Sequence, residues 1–248
     1  MRLTVLGCSG TYPSPDSPCS GYLVEHDGFC LVLDLGPGAL GPLQRAVGLL
    51  DVDAVYVSHL HADHCTDLVG MSYARRYHPD GMPPPLPVYG PAGLADRLCG
   101  VFEAPPPDRL QQVYDFRQVA VGRQEVGPFT VTTVRMNHPV ECHGIRLEAD
   151  GRTLAYSGDT ARTPRLVELA RDADVFLCEA SWPEAPDLPG GLHLTGREAG
   201  QHAAQAGVGR LLLTHLLPWA DPEAILAEAR QSYDGPLEVV RSGSVYDV

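Results

Sequence analysis

Ser58-His59-Leu60-His61-Ala62-Asp63-His64 decides the reading of this chain. Three imidazoles and a carboxylate fall within six residues, directly after the apolar run Ala54-Val55-Tyr56-Val57. That run is β-branched and aromatic and follows the acidic turn Asp51-Val52-Asp53, so it predicts a buried strand. In extended chain His59 and His61 point the same way, and one metal ion can take both. A turn into helix at Asp63 swings that carboxylate and His64 toward a second position. Nitrogen and carboxylate donors in this mixture suit zinc, with manganese or iron as alternatives. The competing reading is a histidine-rich surface loop. The spacing after a strand speaks against it.

Bulk properties narrow the classes around this stretch. With 248 residues, 44% hydrophobic and 20% charged, the chain has the composition of a globular protein, and we expect one domain over residues 1–248. No apolar run is long enough to span a bilayer. The start Met1-Arg2-Leu3-Thr4-Val5-Leu6, broken by Gly7, reads as a first strand rather than a signal peptide, which points to the cytoplasm. Seven cysteines (8, 19, 30, 65, 99, 142 and 178) are odd in number and form no Cys-x-x-Cys pair, so reduced thiols are expected. Cys65 adjoins the histidine stretch, where a small buried filler suits it better than a ligand role.

Charge bears on substrate. The formal net charge is −13, and all 18 basic residues are arginine. Proteins that grip long RNA or DNA carry a basic stripe that releases counterions, whereas the one adjacent basic pair here is Arg75-Arg76. Two divalent ions would add about four positive charges locally, enough for one phosphate group and not for a polyanion. Small anionic substrates are favoured.

Along the chain, residues 2–7 and 22–34 read as strands of a first sheet, joined by the proline-rich loop Gly10 to Pro18. A helix is predicted at about 39–49 and another from Asp67 to Tyr77. The run Met82-Pro83-Pro84-Pro85-Leu86-Pro87 makes 78–87 a loop, a rigid rim or a dimer contact. Then follow a short strand at 88–89, a helix at 92–103, a loop at 104–107, and strands at 113–121 and 129–136. The second half alternates strand and helix, with strands at 153–157, 174–179, 210–214 and 237–241. Thr163-Pro164 and Asp221-Pro222 are helix starts, Thr195-Gly196-Arg197-Glu198 is a capping box, and Gly207 ends that helix. Periodicity alone gives a mixed α/β protein.

The histidine stretch resembles the signature of the metallo-β-lactamase superfamily, and further landmarks recur in order. They are Asp34 after Cys30-Leu31-Val32-Leu33, His138 in Asn137-His138-Pro139, Asp159 in Ser157-Gly158-Asp159-Thr160, and His215 in Leu213-Thr214-His215. Within the superfamily the chain is similar to the ribonuclease Z-like branch, above all to atypical bacterial cyclic-nucleotide phosphodiesterases. The opening Leu3 to Gly10, the run Cys178-Glu179-Ala180-Ser181-Trp182, and His193-Leu194-Thr195 with Glu198-Ala199-Gly200 carry that closer likeness.

The resemblance implies an α/β fold of two mixed β-sheets with helices outside, an αββα four-layer sandwich. It implies His59, His61 and His138 on one divalent metal, Asp63, His64 and His215 on the other, and Asp159 between them. Two such ions about 3.5–4 Å apart can activate water and offset charge growing on phosphorus. Asp34 is expected to orient the histidine loop from behind. Glu179 and His193 resemble the pair that protonates the departing oxygen, so Asp63, Glu179 and His193 are the expected catalytic residues. The expected activity is hydrolysis of phosphodiesters, with 3′,5′-cyclic nucleotides such as cAMP first. A ribonuclease Z-like endoribonuclease, or a lactonase or thioesterase of the same core, is the alternative. Only 33 residues separate Asp159 from His193, too few for the long arm of tRNA-processing members. Related members suggest a homodimer. His26, His78, His143 and His202 match no ligand position and receive no role.

Overall fold

The computed structural model of the chain describes residues 1–101 and 108–248. Its first half runs β1 (Arg2–Gly7), β2 (Gly21–His26), β3 (Phe29–Leu35), α1 (Leu40–Ala46), β4 (Ala54–Tyr56), α2 (Ala62–Cys65), α3 (Asp67–Arg76), β5 (Leu86–Gly90), α4 (Leu94–Cys99), α5 (Asp108–Gln111) and β6 (Tyr114–Gln118). Its second half runs β7 (Gly122–Val126), β8 (Phe129–Arg135), β9 (His143–Ala149), β10 (Arg152–Tyr156), α6 (Pro164–Ala170), β11 (Val175–Glu179), α7 (Gly196–Ala206), β12 (Leu211–Thr214), α8 (Pro222–Arg230), β13 (Leu237–Val239) and β14 (Val245–Asp247).

Two seven-stranded sheets result, in the orders β14-β1-β2-β3-β4-β5-β6 and β13-β12-β11-β10-β9-β8-β7. Each is mixed. In the first, β14, β1, β2 and β3 pair antiparallel and β3 to β6 parallel. In the second, β7 to β10 pair antiparallel and β10 to β13 parallel. Parallel strands need crossover helices, and these cover the outer faces.

Side-chain alternation sorts the layers. Leu31 and Leu33 of β3 join Phe129, Val131, Leu177 and Leu212 in the core between the sheets. Their neighbour Val32 faces outward, onto a second cluster with Leu43, Leu68 and Met71 under α1 and α3. Phe176, Leu211 and Leu213 face outward on the other sheet, against Leu166, Ala203 and Ile225 of α6, α7 and α8. Fully burying each such Leu, Val or Phe side chain stabilises by about 1.5–3 kcal/mol. The layers are therefore helix, sheet, sheet, helix, as the family likeness implied. Two buried hydroxyl pairs bridge the sheets, Tyr22 with Thr214 at 2.7 Å and Tyr56 with Thr133 at 2.9 Å. A buried phenol requires such a partner.

The expected helix starts are present. Thr163 and Asp221 accept from the amides of Arg165 and Glu223, each ahead of a proline, and Thr195 with Glu198 closes a reciprocal capping box. Other boundaries differ from the sequence reading. The expected helix at 39–49 is shorter, because the chain leaves α1 in extended conformation at Val47. Leu86 and Pro87 already belong to β5, although its proline supplies no amide to the ladder. The segment 113–121 yields β6, and β7 follows it in the other sheet. Strands β7, β9 and β14 were not anticipated. Residues 102–103 of the expected helix and the loop at 104–107 lie outside the described residues. Among the described residues, no helix is long and apolar enough to cross a membrane.

Candidate metal centre

The parallel strands deliver the site. Asp34 lies near the C-terminal end of β3, and Ser58 and His59 follow β4. Asp159 follows β10, Glu179 ends β11, and His215 follows β12. His138 sits in the turn between β8 and β9, and His193 precedes α7. Strand ends of open α/β sheets are where side chains can converge without breaking a ladder. His61 is extended (φ −66°, ψ 149°) and caps α2, whose first turn carries Asp63 and His64. The turn from strand to helix therefore splits the stretch into two donor groups, as its spacing predicted.

Donor atoms of His59, His61, His138 and Asp159 all lie within 4.8 Å of one another, and so do those of Asp63, His64 and His215. In the first group His59 Nε2 and His138 Nε2 stand 3.0 and 3.2 Å from His61 Nδ1, and Asp159 Oδ2 is 3.5 Å from His59 Nε2. In the second, His215 Nε2 lies 3.2 Å from both His64 Nε2 and Asp63 Oδ2. Asp159 Oδ1 faces this group, 3.3 Å from His64 Nε2 and 3.5 Å from His215 Nε2. One carboxylate thus presents one oxygen to each group.

Partners behind the rings fix which nitrogen is the donor. His138 Nδ1 meets the Leu192 carbonyl at 2.9 Å, which only accepts, so the proton sits on Nδ1 and the Nε2 lone pair faces the group. His64 Nδ1 donates likewise to Asp34 Oδ2 at 2.8 Å. His59 Nδ1 and His215 Nδ1 meet the hydroxyls of Ser58 and Ser181, each at 3.0 Å. Asp34 also accepts from the Ser58 amide (2.7 Å), the Ser58 hydroxyl (2.8 Å) and the Tyr156 hydroxyl (2.6 Å). It anchors the histidine loop from behind, as expected. Its own backbone is left-handed (φ 55°), as is that of His215 (φ 58°), the kind of strain that collects at functional sites.

The residues present fit divalent metals. Lone pairs of imidazole nitrogens converge at hydrogen-bond distance, and Asp159 Oδ1 is buried without a hydrogen-bond partner. Burial lowers His59 well below the usual imidazole range and lowers His61 and His138 as well, so these three are held neutral, as ligation requires. Burial would also lower His64, but the charges of Asp159, Asp34 and Asp63 outweigh it and raise His64 well above its ordinary value. The deeper half of the centre is a buried anionic nest that demands a cation. Close approach depends on glycine at two points. A Cβ on Gly36 would overlap the Asp63 carbonyl, and one on Gly10 would crowd the His215 carbonyl.

Beside this centre His193 Nδ1 lies 3.0 Å from Glu179 Oε1 and 3.9 Å from Asp159 Oδ2. Glu179 also accepts from the Thr160 amide (2.7 Å), the Ser181 hydroxyl (2.9 Å) and the Leu194 amide (3.2 Å). With Nδ1 engaged, Nε2 is the nitrogen left to meet a ligand. Burial alone would lower His193, but Glu179's charge and hydrogen bond and the charge of Asp159 lift it to about 9. Trp182 packs edge-on against the imidazole, ring centres 5.2 Å apart.

All nine residues expected at the site therefore converge. Ser58, Tyr156, Ser181 and the Thr11 amide, which donates to Asp63 Oδ2 at 2.8 Å, were not assigned from sequence. Ser58 and Ser181 lie inside the quoted stretches, and adjacency to a ligand was the available signal. The unassigned histidines stay apart from the donor groups. His26 pairs with Asp150 at 3.1 Å, His78 approaches Asp80 at 3.6 Å, and His202 bonds the Glu198 carbonyl within α7. His143 is buried with Nδ1 unpartnered, and its amide donates to the Ser58 carbonyl. Cys65 is buried, with its thiol on the His61 carbonyl.

Comparison with known proteins gives the family and the fold. The model of the β-lactamase superfamily domain matches residues 31–216. The uncharacterized protein ML1173 of Mycobacterium leprae is 46% identical over all of this chain and 89% of its own length. The probable metallo-hydrolase YhfI of Bacillus subtilis is 29% identical over the whole of both chains. Its crystal structure superimposes with a TM-score of 0.89 over 99% of each. Ribonuclease Z of Myxococcus xanthus is 28% identical over 98% of this chain and 96% of that protein. A diphosphatase of the PhnP family, 19% identical, shares the fold with a TM-score of 0.77 over 100% of this chain and 97% of that one.

Proposed function

The chain belongs to the metallo-β-lactamase superfamily and is a metal-dependent hydrolase of that fold, and on this premise we propose that it cleaves small phosphodiesters, 3′,5′-cyclic nucleotides such as cAMP first. The observation that carries the reading is the His193–Glu179 pair set beside Asp159. A 3′-alkoxide is a poor leaving group, and a positioned acid is what its departure needs.

His59, His61 and His138 would hold one divalent ion, and Asp63, His64 and His215 the other, with Asp159 shared. Zinc suits the donors best, manganese or iron next. Such ions supply Lewis acidity and make water acidic enough to ionise near neutral pH. In the chain itself Asp34 and Ser181 keep the imidazoles oriented, and the Thr11 amide holds Asp63. Cleavage forms one bond from a water oxygen to phosphorus and breaks the bond from phosphorus to O3′. His193 Nε2 gives its proton to O3′, and Glu179 supports the imidazolium until then. The products are a 3′-hydroxyl and a 5′-monophosphate, and the proton lost by the attacking water passes to solvent, from which His193 is recharged.

Support for small substrates comes from the net charge of −13, which opposes the long RNA that the ribonuclease Z relative's name suggests. We place the protein in the cytoplasm as a homodimer, and light scattering giving a stable monomer removes the second part. A substrate panel on metal-replete protein tests the reading. It comprises cyclic mononucleotides, an aryl phosphodiester, an RNA with a 3′ trailer, and a lactone. Turnover of cyclic nucleotides is expected; turnover confined to RNA or to the lactone overturns the proposal in favour of the ribonuclease or lactonase alternative.

A further inference from the structure

Two large aromatic side chains stand exposed beside the metal centre with no part in the chemistry above. Tyr12 is 46% exposed and Trp219 65%, and their rings face each other at 5.9 Å between centres, tilted by 34°. They come from opposite ends of the sequence and are brought together by the loops that position two of the expected ligands. The Gly10 amide donates to the Leu216 carbonyl, and Ser9 and Leu216 form a parallel bridge. Thr11, next to Tyr12, donates to Asp63 Oδ2. Trp219 lies four residues beyond His215, on a turn closed from the Ala220 amide to the Leu217 carbonyl, with Leu217 tied to Ser181.

We propose that Tyr12 and Trp219 form a stacking platform for the planar base of a nucleotide substrate, so that the site requires a base as well as a phosphate. The inference rests on the phosphodiesterase reading, which places the phosphate at the metal centre. Tyr12 Cα lies no more than about 8 Å from Asp63 Oδ2, and Trp219 Cα no more than about 14 Å from that of His215, by backbone reach. In a nucleotide the base and the phosphate are one ribose apart, and the limit on Tyr12 keeps that residue close enough to the centre for such a ligand to reach both. The rings already touch, so a base meets the pair's outer face rather than entering between them.

Charge gives such a platform a role beside the metal centre. A protein of net charge −13 cannot draw affinity for an anionic ligand from a basic surface. An aromatic face binds any base through its π-surface, without charge. Both backbones are held: Ser9 Oγ donates to the Tyr12 carbonyl at 2.8 Å, and the Trp219 loop is tied as above. The platform is therefore ordered before a ligand arrives, which lowers the entropic cost of binding.

The test compares cAMP with a base-free analogue, methyl riboside 3′,5′-cyclic phosphate. Trp219→Ala and Tyr12→Ala should each raise KM for cAMP roughly ten- to a hundredfold, the loss expected for one stacked base, with kcat within about threefold. KM for the analogue should rise far less. Trp219→Phe should restore most of the difference, and metal content should match the parent in every variant. Equal losses on both substrates, or none on cAMP, overturn the platform, as does loss of a dimer without any base dependence. A binding arm needs no turnover. In a Trp182→Phe background Trp219 is the sole tryptophan. Adenosine 5′-monophosphate should then quench its fluorescence, and ribose 5-phosphate should not. Quenching without hydrolysis of any cyclic nucleotide keeps the platform and removes the phosphodiesterase reading; hydrolysis with no base dependence and no quenching does the reverse.

Discussion

The two halves of the metal centre are built from the same residue types and differ in what stands behind them. Asp63, His64 and His215 are buried; Asp34 and Ser181 tie the two imidazoles from the rear, and the Thr11 amide holds the Asp63 oxygen that faces them. In the other half His59 is buried, but His61 and His138 are partly exposed at the mouth, and the support is neutral, a serine hydroxyl and a carbonyl. A carboxylate behind an imidazole raises its basicity and fixes its orientation, so ligand strength is set as much by the rear contact as by the donor. The deep half should therefore hold its ion more firmly and the mouth half exchange it first. A grouping away from the centre sets the limit: His26, Asp27 and Asp150 also bring donors within 4.8 Å, but two of the three are exposed. Proximity alone does not organise a site.

The largest expected effect erases the difference between the halves. Asp159 offers one oxygen to each, so Asp159→Ala should empty both or leave one poorly held ion, with turnover lost well beyond the roughly 10–100-fold cost of removing an outer partner. Parent protein should bind about two divalent ions per chain. Elemental analysis that finds two ions in folded Asp159→Ala would falsify the shared-carboxylate arrangement.

Smaller effects should separate the halves. His61→Ala removes a mouth donor and should leave about one ion per chain, the deep one. Asp34→Ala leaves every donor in place but strips the carboxylate from His64, so affinity for the deep ion should fall about 10–100-fold while the mouth ion is less affected. Competition against a chromophoric chelator reads both. In the parent it should show two phases, and Asp34→Ala should merge them. Two phases unchanged by Asp34→Ala would mean that the rear contact does not set the ranking.

The same contrast explains what the sequence made legible. His59, His61, Asp63 and His64 are readable because one strand-to-helix turn holds all four, so their spacing carries the geometry. His138, Asp159 and His215 each stand alone in the sequence, and only the family likeness joined them, since sheet pairing and not local spacing brings them together. Rear contacts were legible only in part. Asp34 followed from the family pattern, while Ser58, Ser181 and Tyr156 are ordinary residues until a hydrogen bond defines them. In the fold, the helix caps were plain because their chemistry is local. β7 was not, because Gly-Arg-Gln-Glu-Val is polar on both faces at a sheet edge, and β14 is three residues whose strand character comes from pairing with β1.

His193 should leave both halves intact, and that makes it the sharpest probe of the division between holding metal and moving protons. If it protonates O3′, His193→Ala should keep about two ions per chain yet lose roughly 10²–10⁴-fold in turnover on cyclic nucleotides. On an aryl phosphodiester the loss should be much smaller, because a phenolate departs without a proton. Glu179→Gln should fall the same way more mildly, whereas Asp63→Ala should damage both substrates alike. The pH behaviour of metal-free protein supplies a readout free of catalysis. Here the folded imidazole, near 9, lies above the ordinary value of about 6.5. Its protonation therefore stabilises the fold fully below about 6.5, and that contribution fades as pH rises through about 9. Imidazole NMR should show His193 charged at pH 7, and Glu179→Gln should bring its midpoint down. A His193 resonance that titrates at or below 6.5 in the parent, or equal losses on the two substrates, would leave the imidazole a ligand or a binding group and the acid role unfilled.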